Sequence, residues 1–166
     1  MEEDKRRLVM SEIMPPEKAN YAGNIHGGYI LYLLDRVAYT CATRYSSHYT
    51  VTLSVDKVLF KRPIRVGELV SFYASVNFVG TTSMEVGIRV VAENLETGEK
   101  RHTNSCFFTM VALDSNHKPI TVPPLTLTNE QEKRRYEEAK LRREINKKYE
   151  AEHAKRKQKL REQFQS

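Results

Sequence analysis

Between Tyr29 and Tyr45 the apolar residues Ile30, Leu33, Leu34, Val37, Ala38, Cys41 and Ala42 recur every three or four positions. That spacing predicts a helix, and Leu31 and Tyr32 widen its stripe until the face is apolar nearly all round. So broad a face must be enclosed, and the neighbouring sequence offers strands to enclose it. Val70, Phe72, Ala74, Val76 and Phe78 alternate with polar residues, the clearest half-buried strand in the chain. Strand patterns also cover Arg7–Met14, Val51–Val55 running on through Val58-Leu59-Phe60, and Met84–Glu93. Thr103–Leu113 is apolar on both faces, as expected at the heart of a sheet or at an interface. Breaks fall at Pro15-Pro16, Lys61–Pro63, Val66–Glu68, Gly80–Ser83 and Asn94–Lys100. The order predicts an α+β domain in which one antiparallel sheet covers one long helix. A single sheet on one helix leaves edges and apolar surface, so a homo-oligomer is expected.

Pro119–Pro124 ends this pattern, and a helical stretch without Gly or Pro follows from Thr128. The expected division is a domain over 1–125 and a charged helical extension over 126–166. From Asn129 to Ser166 there are 13 Lys+Arg and 8 Asp+Glu, whereas the rest of the chain holds 14 and 13. The overall charge of +6 therefore belongs mostly to the extension. Its acids alternate with its bases, as in Glu130/Arg134, Glu138/Arg142, Glu144/Lys148 and Glu152/Arg156, which reads as a solvated helix rather than a nucleic-acid surface. No apolar run approaches the ~20 residues of a membrane span, so no membrane insertion is expected. Residues 1–6 read as a frayed, charged start, and Met1–Met14 holds no signal-like apolar region, which makes the cytoplasm the expected compartment. The two cysteines, Cys41 and Cys106, lie in apolar segments, and no Cys/His spacing suggests a metal.

Candidate chemistry gathers around the start of the helix. Asn24-Ile25-His26-Gly27-Gly28 places two glycines where first-turn N–H groups and the helix dipole favour developing negative charge, although an ordinary loop would use the same residues. Asp35 is the sharper oddity. A carboxylate within so apolar a helix must be paired, neutralised or confined to a polar strip, with Tyr32 or Tyr39 as possible hydroxyl donors. Buried near a helix N-terminus, it would suit a general base or a nucleophile toward a carbonyl. Gly80–Ser83 and Lys61-Arg62 are open to two readings each, phosphate contacts or a plain bulge and turn.

The run Ala19-Asn20-Tyr21-Ala22-Gly23-Asn24-Ile25-His26-Gly27-Gly28-Tyr29-Ile30-Leu31, followed by Leu33-Leu34-Asp35, resembles the signature of hotdog-fold acyl-CoA thioesterases. Within them it is most similar to the cytosolic brain-type acyl-CoA hydrolases and their single-domain bacterial relatives. The likeness continues through Val55-Asp56, Phe60–Ile64, Val66-Gly67, Gly80 with Ser83 and Met84, and Phe108–Asp114. It implies a hotdog fold, in which a long helix is wrapped by a sheet that continues into that of a dimer partner, and assembly as a trimer of dimers. It implies hydrolysis of acyl-CoA to fatty acid and CoA, with Asn20 and Asp35 as a catalytic pair shared across the dimer interface. Substrate contacts are then expected from Asn24, His26, Gly27 and Gly28, and from Gly80, Thr81, Thr82 and Ser83. Thr81 stands where many relatives carry Arg or Asn, which implies the loss of a charged contact to CoA phosphate there. No metal or organic cofactor is implied, CoA being part of substrate and product. The alternatives within the fold are an acyl-thioester hydratase or dehydratase, and a non-catalytic acyl-CoA-binding protein.

Overall fold

The computed structural model describes residues 4–165. In chain order they form β1 (Arg7–Ile13), a 3-10 turn (Pro16–Lys18), α1 (Gly27–Ser46), β2 (Tyr49–Val55), β3 (Leu69–Val79), β4 (Ser83–Glu93), β5 (Lys100–Leu113) and α2 (Glu130–Phe164). The five strands make one antiparallel sheet in the order β1-β3-β4-β5-β2, curled around α1, which touches all of them. This is the expected α+β arrangement. The predicted stripe of α1 is its buried face, and Leu34, Ala38, Cys41 and Ala42 lose all contact with solvent. They meet the inward rows of β3, β4 and β5, such as Phe72, Val86, Ile88, Phe108 and Met110. Burying each such large side chain contributes about 1.5–3 kcal/mol, which fixes the helix against the sheet.

Several expectations fail for identifiable reasons. The helix is largely enclosed, but Leu31 and Tyr32, expected to widen its buried stripe, stand with Asp35, Arg36 and Tyr39 on an exposed face. Val58-Leu59-Phe60 does not prolong a strand, and the chain from Asp56 to Glu68 is irregular apart from a bridge at Arg65. The alternation of β2 also names the wrong face. Its threonines turn toward α1, Thr50 bonding the Thr43 hydroxyl at 2.9 Å and Thr52 reaching Asp35, while Leu53 and Val55 are exposed. The start expected to fray is pinned from Asp4 onward, because the Arg6 carbonyl accepts the Val76 N–H at 3.0 Å. Residues 1–3 lie outside the described residues.

The chain divides into two compact units between Leu125 and Thr126. In the second, the Asn129 side chain caps α2 by accepting the Glu132 N–H at 3.0 Å. Of the acid–base pairs expected along it, Glu152–Arg156 forms at 2.6 Å. Glu130 instead takes Lys133 at 2.7 Å, and Arg134 turns to Glu138 at 3.7 Å.

Candidate active site

The start of α1 is held by a small loop of which Asn20 is the keystone. The Asn20 backbone N–H donates to the Asn24 carbonyl at 2.7 Å, and its Oδ1 accepts the N–H groups of Ala22 and Asn24 at 3.0 and 3.1 Å. Gly23 closes the loop at φ +80°, a left-handed conformation in which glycine has no Cβ to strain. With Oδ1 committed, Nδ2 is the Asn20 donor left for an outside partner. Tyr21, at the tip, is fully exposed.

A second segment braces this loop. Ile25 N–H donates to the Ile64 carbonyl at 2.8 Å, Asn24 bridges Arg65, and the Phe60 ring lies 3.5 Å from where a Cβ on Gly27 would stand. That segment is anchored by a buried ion pair. Arg101 on β5 holds both Glu68 carboxylate oxygens and donates to the Pro63 carbonyl at 2.7 Å, and the Arg65 N–H donates to Glu68 at 2.8 Å. Burial raises the pKa of Glu68, but the Arg101 and Arg65 hydrogen bonds outweigh it and hold the carboxyl below its ordinary value.

His26 occupies the N-cap position, yet its side chain makes no capping hydrogen bond. Tyr29 N–H and Ile30 N–H both turn back to the His26 carbonyl, so Gly27 and Gly28 carry the first-turn donors that no helical carbonyl can satisfy. Gly28 is exposed, and a Cβ there would meet nothing within 4 Å. Tyr29 is tied to Glu12, and that hydrogen bond first, then burial, pushes its phenol up to about 12. Burial likewise pushes both thiols, Cys41 and Cys106, up to about 12, which suits core hydrophobes and not nucleophiles.

Of the readings left open for Asp35, the exposed strip and a hydroxyl partner are the ones realised. The carboxylate is exposed, and its partner is neither tyrosine on α1 but Thr52 of β2, whose hydroxyl donates to Oδ1 at 2.6 Å. Thr52 was not among the residues singled out from the sequence. Asp35 also lies eight residues beyond Gly27, about 12 Å along the axis at 1.5 Å per residue. Asn20 and Asp35 do not hydrogen-bond each other in one chain, each having a partner of its own.

Gly80–Ser83 forms the β3–β4 hairpin turn, with Gly80 N–H donating to the Ser83 carbonyl at 2.8 Å. The carbonyls of Thr81 and Thr82 accept from Val122 and Ala112 at 2.9 and 3.0 Å. Thr81 is exposed, Thr82 is half-buried and Ser83 is buried. This turn closes the end of β3 away from the helix start. The eleven residues of β3 lie between the two along the chain, while across the sheet Met84, next to the turn, pairs with Met110, which pairs with Thr52. One chain therefore groups Asn20, Asn24, His26, Gly27 and Gly28 at one place, Asp35 with Thr52 at a second, and Gly80–Ser83 at a third. Among the described residues no group of His, Cys, Asp and Glu could hold a metal, and no helix is long and apolar enough to cross a membrane.

Residues 22–99 match the sequence profile of the Thioesterase superfamily. Protein VdlD of Helicobacter pylori is 53% identical over 142 residues, covering 86% of this chain and 81% of that protein. The uncharacterized acyl-CoA thioester hydrolase YkhA of Bacillus subtilis is 37% identical over 126 residues, covering 76% and 73%. Among solved structures, an apo-hexameric acyl-CoA thioesterase superposes with a TM-score of 0.84 at 39% identity, covering 87% of this chain and 93% of its own. The Staphylococcus aureus acyl-CoA hydrolase, solved with butyryl-CoA, CoA and CoA disulfide, superposes with a TM-score of 0.83 at 27% identity, covering 93% and 94%. That enzyme has also been solved with an Asn, an Asp and a Thr each replaced by Ala. Those positions are fifteen and then seventeen residues apart, the spacing of Asn20, Asp35 and Thr52.

Proposed function

The chain belongs to the thioesterase superfamily, and from that membership we infer that it is an acyl-CoA thioesterase, hydrolysing acyl-CoA to a free acid and CoA. The observation that carries the site is the Thr52–Asp35 hydrogen bond at 2.6 Å on the exposed face of α1. It holds a carboxylate, its one oxygen engaged and the other open, where a reacting water can be met. In this reading the thioester carbonyl sits against the unsatisfied N–H groups of Gly27 and Gly28, aided by the α1 dipole and the Asn20 amide. Each such donor is worth about 10²–10³ in rate. Asp35 takes a proton from the water that attacks the carbonyl, or attacks the carbonyl itself to form an anhydride that water then opens to the free acid; in both routes the C–S bond breaks and CoA leaves as the thiolate.

Both groups cannot act on one carbonyl within a single chain, because about 12 Å of helix separates them. The site is therefore completed between two copies, the helix start and Asn20 of one facing Asp35 of the partner subunit. Leu31, Tyr32 and Tyr39 around Asp35, and Leu53 and Val55 on the neighbouring edge strand, are the exposed apolar surface such a dimer would cover. Two of the structural relatives are hexameric, which supports a hexamer, in this reading a trimer of such dimers.

Subunit mixing tests both halves of this reading. Asp35→Asn and Asn20→Ala should each abolish or cripple thiol release from a panel of acyl-CoAs, with circular dichroism unchanged. Dissociated and reassembled together, the two variants should regain activity, since a mixed dimer contains one intact site. Recovery in neither mixture nor parent would count against hydrolysis; an active parent without recovery would place both residues in one subunit's site.

A further inference from the structure

We propose that Lys61, Arg62 and Arg65 bind the phosphates of the CoA moiety, an inference that rests on the thioesterase reading of the site beside them. The segment from Asp56 to Glu68 carries Lys57, Lys61, Arg62 and Arg65 against two acids, and one of those acids, Glu68, is already held by Arg101. Lys61, Arg62 and Arg65 are exposed, and among the described residues none of the three forms an ion pair. The Arg65 charge also favours the Glu68 carboxylate, while Lys61 and Arg62 have no acid in contact among the described residues, so the three cations within five residues make a local positive field.

That field is fixed in place next to the helix start. Phe60, immediately before Lys61, packs on Gly27. Pro63, immediately after Arg62, is gripped by Arg101 at 2.7 Å. Ile64 bonds Ile25 at 2.8 Å, and Arg65 bridges Asn24. The backbone that carries these side chains therefore lies beside the place proposed for the thioester, and the pantetheine arm of CoA, which joins thioester to diphosphate, sets how its phosphates reach them. CoA carries a diphosphate and a 3′-phosphate, so it presents several negative charges to them.

The other phosphate candidate is weaker by its chemistry. The Gly80–Ser83 turn has no cation and its Gly80 N–H is spent on Ser83, so it offers a phosphate only neutral hydroxyl and N–H donors. The charge missing at Thr81 is supplied from the segment beside the helix start.

The test compares the parent with Lys61→Gln/Arg62→Gln/Arg65→Gln on two substrates, acyl-CoA and the same acyl group as its N-acetylcysteamine thioester, which has no phosphate. For acyl-CoA, kcat/KM should fall about two- to fivefold per charge removed, mainly through KM, and its dependence on salt should flatten. The short thioester should show no difference between the two proteins, and Lys61→Arg should keep the parent's behaviour on both. Calorimetric titration with CoA and with pantetheine gives a readout independent of turnover: the triple variant should bind CoA no better than pantetheine. Equal losses on both thioesters, or unchanged affinity for CoA, would overturn the proposal. A parent that hydrolyses neither thioester would overturn the reading of the site, while the CoA titration still decides the phosphate contacts.

Discussion

Thr52 is the residue that most changes the chemistry expected of Asp35. Reading the helix alone directs attention to Tyr32 and Tyr39, because they lie one turn from the carboxylate. The hydroxyl that reaches it comes from seventeen residues further on, across the fold. The signal was present in the polar half of β2, Thr50 and Thr52, but apolar alternation assigned the opposite face to the core. Asp35 was legible as a carboxylate in an apolar helix and the paired glycines as a helix mouth, whereas Asn20, an ordinary loop residue, was legible only through the family resemblance; Thr52 is ordinary in a strand. If Thr52 orients the base, Thr52→Val, which keeps the shape and removes the hydroxyl, should lower kcat about 10- to 100-fold, as expected for losing a hydrogen bond to a charged group worth about 1.5–3 kcal/mol. Thr52→Ser should retain most of the rate, and thermal stability should stay level in both. A Thr52→Val enzyme within twofold of the parent would show that Asp35 needs no such support.

The elements most legible in the sequence are those whose partners lie in the same chain. The stripe of α1 and the alternation of β3 and β4 are written by burial against one another, so periodicity finds them. Gly87 was not legible: a Cβ there would come within 2.3 Å of Asn77 Nδ2, a clash created by the β3 irregularity between Val76 and Phe78. Nor was the brace formed by Glu68 at the start of β3 and Arg101 on β5, thirty-three residues apart. That brace has a pH signature. The Glu68 carboxyl titrates below its unfolded value in spite of its burial, because Arg101 and the Arg65 N–H stabilise the charged form. Its contribution is thus complete above the unfolded carboxylate range and is lost as pH falls through the lowered folded value. Thermal melts of parent and Glu68→Gln should differ most near neutrality and converge on acidification. Removing the cation instead, in Arg101→Ala, leaves a buried carboxylate unpaired and should cost about 3–5 kcal/mol near neutral pH. A constant gap between parent and Glu68→Gln across the acid range would remove Glu68 from the account.

At the scale of the whole molecule, the misread face of β2 has a physical meaning. An edge strand that turns threonines inward and leaves Leu53 and Val55 at 68% and 44% exposure is poorly suited to solvent. Its unpaired backbone edge and its apolar side chains make it ready to add a strand from another copy. The same surface carries the exposed face of α1 on which Asp35 stands, so association and chemistry are predicted to share one boundary. In the proposed dimer the β2 pattern is completed by a second copy and has no counterpart within one sequence, whereas β3 is paired on both sides within the chain. The consequence is a linked loss. Leu53→Lys places a charge where the partner's edge would pack, without touching Asp35, Thr52 or the helix start. Light scattering should show the assembly reduced toward single chains, circular dichroism should keep the spectrum of the folded unit, and thiol release should fall in proportion to the assembled fraction. Raising protein concentration should then restore mass and activity together. Activity that persists in the dissociated chain would mean that one copy holds a whole site, and that the 12 Å of helix between Gly27 and Asp35 is spanned by motion within it.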